Sequence, residues 1–271
     1  MPTILDAEHR IWRRQTPGTA ALTVAGWLAG LCAVGFAFWQ ISESTEWMFV
    51  LDAGRAGADI LSRMVPPEWS FTGKILRPLW DTLSIATLGT ALALVLATPV
   101  AFAAARNTSP SPRLLRPLAM FIIVSSRSVN ALIWAMLLIA IVGPGTLAGT
   151  LAIALRSVGF LAKLLSEAIE EIDPKPVEAI TAVGASPGQV ITYGIVPQIL
   201  PAFVGLTIFR WDINIRASTV LGFVGAGGIG LQLNAAMQAL SWSRVSLILL
   251  TILGAVVLSE AVSARARHAI I

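Results

Sequence analysis

Charge, histidine and cysteine are all scarce in this 271-residue chain, and each shortage removes a class of function. Asp, Glu, Lys and Arg make up only 13% of the residues, about half of the ~25% usual in soluble globular proteins. With 56% of positions hydrophobic and a mean hydropathy of +0.78, an ordinary soluble domain is excluded. The single cysteine, Cys32, permits no intrachain disulfide and no cysteine metal cluster. The two histidines, His9 and His268, stand near opposite ends of the chain, which removes histidine relays and histidine metal sites. No Gly-x-x-x-x-Gly-Lys-Ser/Thr run occurs, so the chain has no phosphate-cradling loop of its own for ATP hydrolysis. An intramembrane enzyme would need a catalytic pair within the apolar segments, where Asp212 stands alone apart from Glu260 near the end of the last one.

What is present is a series of apolar runs near 20 residues, the length that crosses a hydrocarbon core of about 30 Å. They predict an all-α polytopic membrane protein with six spans, over residues 19–41, 82–105, 118–142, 146–169, 197–224 and 245–262. The third is interrupted by the polar knot Ser125-Ser126-Arg127-Ser128-Val129-Asn130, and Gly143-Pro144-Gly145 turns the chain into the fourth. The first run is too long for a signal peptide and no small-x-small cleavage site follows Gln40, so it reads as an uncleaved helix. Residues 42–81 form the long polar connection, with Pro66-Pro67 breaking any continuous helix. The net charge of +4 sits mostly beside spans and reads as membrane orientation, with no nucleic-acid partner. Arg10, Arg13 and Arg14, the Arg106, Arg113 and Arg116 loop, and the Arg265 and Arg267 tail fall in the cytoplasm by the positive-inside rule. Residues 42–81 then lie outside and residues 170–196 inside. Of the nine tryptophans, Trp39, Trp47, Trp69, Trp80 and Trp242 lie near span ends as interfacial anchors, while Trp134 and Trp211 lie deeper as packing residues.

On the cytoplasmic side, Glu178-Ala179-Ile180-Thr181-Ala182-Val183-Gly184 is followed nine residues on by Gly194-Ile195-Val196-Pro197. This resembles the EAA loop of the membrane subunits of binding-protein-dependent ABC importers, matching at Glu178, Ala179, Gly184 and Pro197 and departing at Ile180, Gly194 and Val196. Physically, a short amphipathic helix with a small-residue face at Ala179, Ala182 and Ala185 can insert into a cleft on a partner. Gly184, Ser186, Pro187 and Gly188 complete the expected ATPase-coupling segment, about 174–197. The likeness extends from about residue 82 to the tail and is closest to phosphonate-importer permeases, which also cover phosphite transport. It is carried by Ser126-Arg127-Ser128-Val129-Asn130, Lys163-Leu164-Leu165-Ser166-Glu167-Ala168, Arg210, Asn214 to Val220, and Val224 to Gly230. The last stretch is shared with methionine-importer permeases.

The resemblance implies a methionine-importer-like type I core of five helices plus one extra N-terminal helix. Residues 1–41 are the head and first helix, 42–81 a periplasmic connection and 82–271 the permease core. It also implies a homodimer in the bacterial inner membrane, two cytoplasmic ATPase subunits holding the ATP and Mg, and a periplasmic solute-binding protein. No cofactor is expected on this chain. The expected cargo is a phosphonate, phosphite or similar oxyanion; the alternative is a methionine-type or other small organic-solute permease. A secondary transporter is disfavoured because no inverted repeat of broken helices is evident.

Arg127, Arg156, Lys163, Arg210, Asp212 and Arg216 fall within apolar spans. Four arginines facing lipid would cost on the order of 10 kcal/mol, so they must face protein, water or a pathway. Asp212 and Arg216, four apart, can pair on one helical face. Arg210, Asn214 and Ser218 recur every four residues as a polar stripe, leaving Arg210 with no neutralising partner on its own helix. Arg127, Asn130, Arg210, Asn214, Arg216 and Ser218 are therefore expected to line or shape an anion passage, because guanidinium presents two parallel donors to oxyanions. Arg156 and Lys163 are expected to snorkel to the inner interface. Gly225, Gly227, Gly228 and Gly230 are expected to form an outer gate or loop. Their Gly-x-Gly-x-x-Gly spacing follows a membrane helix, with no strand before it and no phosphate-binding lysine, so a dinucleotide site is not read there.

Overall fold

The computed structural model describes residues 3–6, 9–12 and 17–270. Its contacts divide the chain into two units, Met1–Ser62 and Arg63–Ile271. In the first, β1 (Thr3–Asp6) pairs antiparallel with β2 (His9–Trp12), Thr3 opposite Trp12. This small hairpin is the one departure from an all-helical chain among the described residues; Arg13 and Arg14 lie outside them. Next comes α1 (Pro17–Ser44), apolar on every side. Thr45 and Glu46 separate it from α2 (Trp47–Met64), whose last two residues belong to the second unit.

The second unit opens with a 3-10 turn, Trp69–Phe71, and α3 (Thr72–Ala104). Then follow α4 (Leu115–Ser128), α5 (Ala131–Val142), α6 (Thr146–Glu170) and α7 (Pro174–Ala182). The short α8 (Pro187–Gln189) runs through a π-turn, Val190–Ile195, into α9 (Val196–Leu221). A 3-10 turn at Gly222–Val224, α10 (Ile229–Gln238) and α11 (Trp242–Ile270) complete the chain. Among the described residues five helices are long and apolar enough to cross a membrane, and the α4–α5 pair supplies a sixth candidate span, bent by 93°.

Three boundaries differ from the sequence reading. α3 starts at Thr72, so residues 72–81 are helical and belong to the second span, with Pro78 tolerated inside the helix. The third span is broken, because Val129 is extended and the Asn130 side chain accepts the Leu132 N–H at 3.2 Å, capping a new helix. The fifth helix enters ten residues before Pro197. That proline offers no N–H to the Tyr193 carbonyl, and the ladder relaxes into a π-turn just before it.

The packing of the second unit rests on small side chains. α3 and α6 make its most extensive helix pair, through Ala86, Ala93, Ala97 and Ala101 on α3 and Ala148, Ala152, Ala154 and Ala162 on α6, all at most 1% exposed. Large apolar residues such as Leu88, Val95, Phe121, Leu249 and Leu253 point outward. That inversion suits a bilayer, where lipid tails solvate Leu as well as protein does and helices associate through close backbone approach. At Gly159 on α6, a Cβ would lie 2.5 Å from the Ile123 carbonyl of α4. The same spot is stitched by Ser126, whose hydroxyl accepts the Gly159 N–H at 2.9 Å and donates to the Leu155 carbonyl.

Gly159→Ala is expected to lower the detergent-solubilised melting temperature by an amount equivalent to about 1–3 kcal/mol of overpacking. Gly205→Ala in α9, with open space around the new methyl, should raise it slightly through helix propensity, by up to about 1 kcal/mol. Thermal unfolding of the two variants beside the parent checks both signs.

Candidate functional site

The polar side chains of α9 separate onto two faces. On one, Asn214 is 0% exposed where α3, α6 and α9 meet. Its amide donates to Thr90 Oγ1 of α3 at 2.8 Å and to Ser157 Oγ of α6 at 3.1 Å. One turn earlier, Arg210 Nε donates to Ser157 Oγ at 2.9 Å, and its guanidinium stacks 4.8 Å from the Phe160 ring centroid. One turn later, Ser218 Oγ contacts the Thr82 carbonyl at 3.1 Å. Thr82 Oγ1 in turn accepts the Ile229 N–H at 2.7 Å, tying the start of α10 to α3. On the other face, Asp212 Oδ2 pairs with Arg216 Nη2 at 2.5 Å while its Oδ1 accepts the Ser259 hydroxyl of α11 at 2.8 Å.

The sequence pairing of Asp212 with Arg216 therefore stands, and the pair is anchored to α11. Asn214 and Ser218 do not open onto a cavity. Both are 0% exposed and spent on bonds between helices, which corrects their expected place along a passage. Arg210 is 4% exposed and leans on Ser157 and Phe160. Arg156, half-buried on α6, lies near enough for its charge to act on Arg210. Among the described residues neither arginine forms an ion pair. Lys163 pairs with Glu167 at 2.9 Å. Arg127 is exposed in the last turn of α4 and Asn130 caps α5; neither hydrogen-bonds to the Arg210–Asn214–Ser218 line. Sequence reading missed Thr82, Thr90, Ser157 and Phe160. The spacing of Thr82 and Thr90, eight apart on one face of α3, was the available signal.

The glycine-rich stretch is a packed joint. Gly225, Gly227 and Gly228 have positive φ, and the Gly145 N–H donates to the Gly225 carbonyl at 3.1 Å. A Cβ on Gly228 would lie 2.6 Å from Thr82 Oγ1, and one on Gly230 only 1.9 Å from the Thr219 carbonyl.

The cytoplasm-assigned segment forms a braced corner. Asp173 caps α7 by accepting the Lys175 N–H at 3.0 Å. Its own N–H and carbonyl bond the Gln198 side chain at 3.0 and 3.2 Å, so the start of α7 is tied to the start of α9. Gly194, on the π-turn, lies against Val177 and Ile180 of α7. The turn between them is made by Gly184 at φ +86°, then by Ser186, whose capping box with Gln189 starts α8 at Pro187 and Gly188. Glu178, Ala179, Ala182, Gly184, Ser186, Pro187 and Gly188 are all exposed, whereas Ala185 is half-buried.

Thr82→Val should leave the buried Ile229 N–H without its acceptor and destabilise the chain by about 1–3 kcal/mol. Thr98→Val, which removes a bond only to the Leu94 carbonyl of its own helix, should have a much smaller effect in the same thermal unfolding assay.

Residues 97–267 match the family described as binding-protein-dependent transport system inner membrane component. The phosphite transport system permease protein PtxC of Stutzerimonas stutzeri is 41% identical over 88% of this chain and 88% of its own. The phosphate-import permease protein PhnE of Mycolicibacterium smegmatis is 37% identical over 86% of this chain and 43% of its own. An inward-facing structure of the MetNI methionine ABC transporter superposes with a TM-score of 0.66 at 22% identity, over 75% of this chain and 99% of that one. That likeness shows the methionine-importer-like fold. With this match across most of its helices, the chain belongs to the family of binding-protein-dependent transport system inner membrane components.

Proposed function

We propose that this chain is the membrane-spanning subunit of an ATP-driven importer of phosphite, a phosphonate or a similar small phosphorus oxyanion. The observation that carries the cargo assignment is the Arg156 and Arg210 neighbourhood, two cations on membrane helices with no carboxylate paired to either among the described residues. Unneutralised charge at that depth is costly unless it meets a counter-charge during the working cycle. An oxyanion supplies one, and planar guanidinium forks suit its oxygens. The functions named for the relatives, phosphite transport and phosphate import, favour the same class.

The assembly in this reading is a homodimer with two cytoplasmic ATPase subunits, which hold ATP and Mg, and a periplasmic solute-binding protein that selects the cargo. This chain carries no ATPase chemistry of its own and adds only an alternating path across the inner membrane, with both termini cytoplasmic. Arg210 and Arg156 attract the anion weakly, since a tight site would slow release, and Arg127 and Arg216, both exposed, extend the positive lining. The exposed corner from Glu178 to Gly188 receives the ATPase motion. Because Gln198 and Gly194 brace that corner against α9, the helix bearing Arg210 moves with it. The glycine joint at 225–230 holds the outer ends of α3, α6 and α9 together as a hinge.

The decisive assay is ATP hydrolysis by the chain reconstituted in lipid with its ATPase and binding protein, across phosphite, methylphosphonate, phosphate, sulfate and methionine. Stimulation by a phosphorus oxyanion is expected; stimulation by methionine alone overturns the cargo. In the same system Arg210→Ala and Arg156→Ala should each lower uptake about tenfold or more, the loss expected from one charge-assisted contact, with the complex still assembled. Normal uptake in both removes the pair from the path. Gly184→Asp should abolish cargo-stimulated hydrolysis or release the ATPase, since its φ of +86° disfavours any side chain and a carboxylate there would put a new charge on the exposed docking corner.

A further inference from the structure

α2 segregates its charge almost completely. At about 100° per residue, Arg55, Asp59, Asp52 and Arg63 fall within an arc of roughly 80°. Val50, Ala53, Gly57, Ile60, Leu61 and Met64 cluster on the opposite side. Among the described residues the apolar side packs against little: Val50 is 51% exposed and Leu61 65%. Four charges in 18 residues exclude a crossing.

By the positive-inside reading α1 ends and α3 begins on the same side of the membrane, so α2 connects two span ends on that side. At the start, only Thr45 and Glu46 separate it from α1, an apolar span, and the Trp47 indole N–H donates to the Ser42 carbonyl at 3.1 Å on α1's last turn. At the other end, the Ser243 hydroxyl donates to the Arg63 carbonyl at 3.0 Å, and the Glu68 N–H donates to the Ser243 carbonyl at 3.2 Å. Met64 packs on the apolar cluster that holds Ile75 of α3 and Val245 of α11, near the starts of both helices. Arg244 pairs with Glu68 at 2.8 Å, and that hydrogen bond holds the Glu68 carboxyl below the usual carboxylate range. The tie therefore persists at neutral and mildly acid pH and is lost only as pH falls through the lowered value. An amphipathic helix of about 27 Å whose start is tied to the last turn of α1 and whose last residues are tied to α11 is suited to run along the surface.

We propose that α2 lies in the plane of the outer leaflet with its Val50–Leu61 face sunk into the phospholipid acyl–headgroup boundary. An amphipathic helix of this kind buries its apolar side about 5–10 Å deep. Its two Asp and two Arg cancel, so attachment rests on apolar burial and is insensitive to salt and to lipid charge. The proposal depends on α1 and α3 crossing the membrane and not on the identity of the cargo.

The test uses the full complex in phosphatidylcholine–phosphatidylglycerol nanodiscs, with Cys32→Ser as background and single cysteines replacing Val50, Leu61, Asp52 or Arg55. Each carries an environment-sensitive fluorophore. Labels at 50 and 61 are expected to emit blue-shifted light and to be quenched several-fold more by a nitroxide high on the lipid acyl chain than labels at 52 and 55. Iodide should show the reverse order, and 1 M salt should leave both patterns unchanged. Equal quenching on the two arcs overturns the proposal. So does shielding of 50 and 61 from both quenchers, which would place a protein, such as the binding protein or the second copy, on that face. Where a labelled variant fails to assemble, photocrosslinking of the native complex by acyl-chain diazirine lipid decides: adducts at 50, 57 and 61 support it, and adducts confined to 52, 55 and 59 overturn it.

Discussion

The junction at Asn214 is the constraint from which the rest of the second unit follows. Lipid tails are as apolar as leucine, so burying hydrophobic side chains does little to bring membrane helices together. Alanine faces on α3 and α6 let the backbones approach, and the Asn214 amide, bridging Thr90 and Ser157, fixes how α9 is rotated and how high it stands against them. A polar side chain at 0% exposure in that setting carries a penalty if any partner is missing. One rotation of α9 therefore satisfies it, and that rotation also determines where Arg210, Asp212 and Ser218 point.

Two electrostatic environments result on one helix. Facing α11, Asp212 is met by Arg216 and Ser259 and the charge is balanced locally. Facing α6, Arg210 meets a hydroxyl and an aromatic ring and lies within the field of another arginine. The first arrangement holds helices together; the second leaves positive charge uncompensated, which is the property an anion carrier needs. Ser157 belongs to both the Asn214 junction and the Arg210 contact, so the packing of the bundle and the setting of the cation are coupled through one hydroxyl.

The cytoplasm-assigned corner shows the same economy of parts. The Gln198 side chain spans from α9 to the first residue of the α7 cap, and Gly194 lets α7 lie against the π-turn. The corner is thus tied to the start of α9, and its outer surface is exposed.

Much of this was decided by the sequence alone. The membrane environment follows from composition, because a charge content this low cannot solvate a soluble domain. The long apolar spans, the Asp212–Arg216 pair, the polar knot at 125–130 and the Gly184 turn all depend on residues within a few positions of one another, where helix periodicity and turn rules apply directly. Only the tertiary structure decided that Asn214 and Ser218 are buried glue, that Arg210 leans on Ser157 and Phe160, that Gly230 lies against Thr219, and that Thr82 is the acceptor for Ile229. Each depends on the rotation of one helix against another, separated by up to 147 positions in the chain. On α9 the polar stripe at Arg210, Asn214 and Ser218 is legible in the sequence, but periodicity alone does not say whether it faces neighbouring helices or a water-filled path.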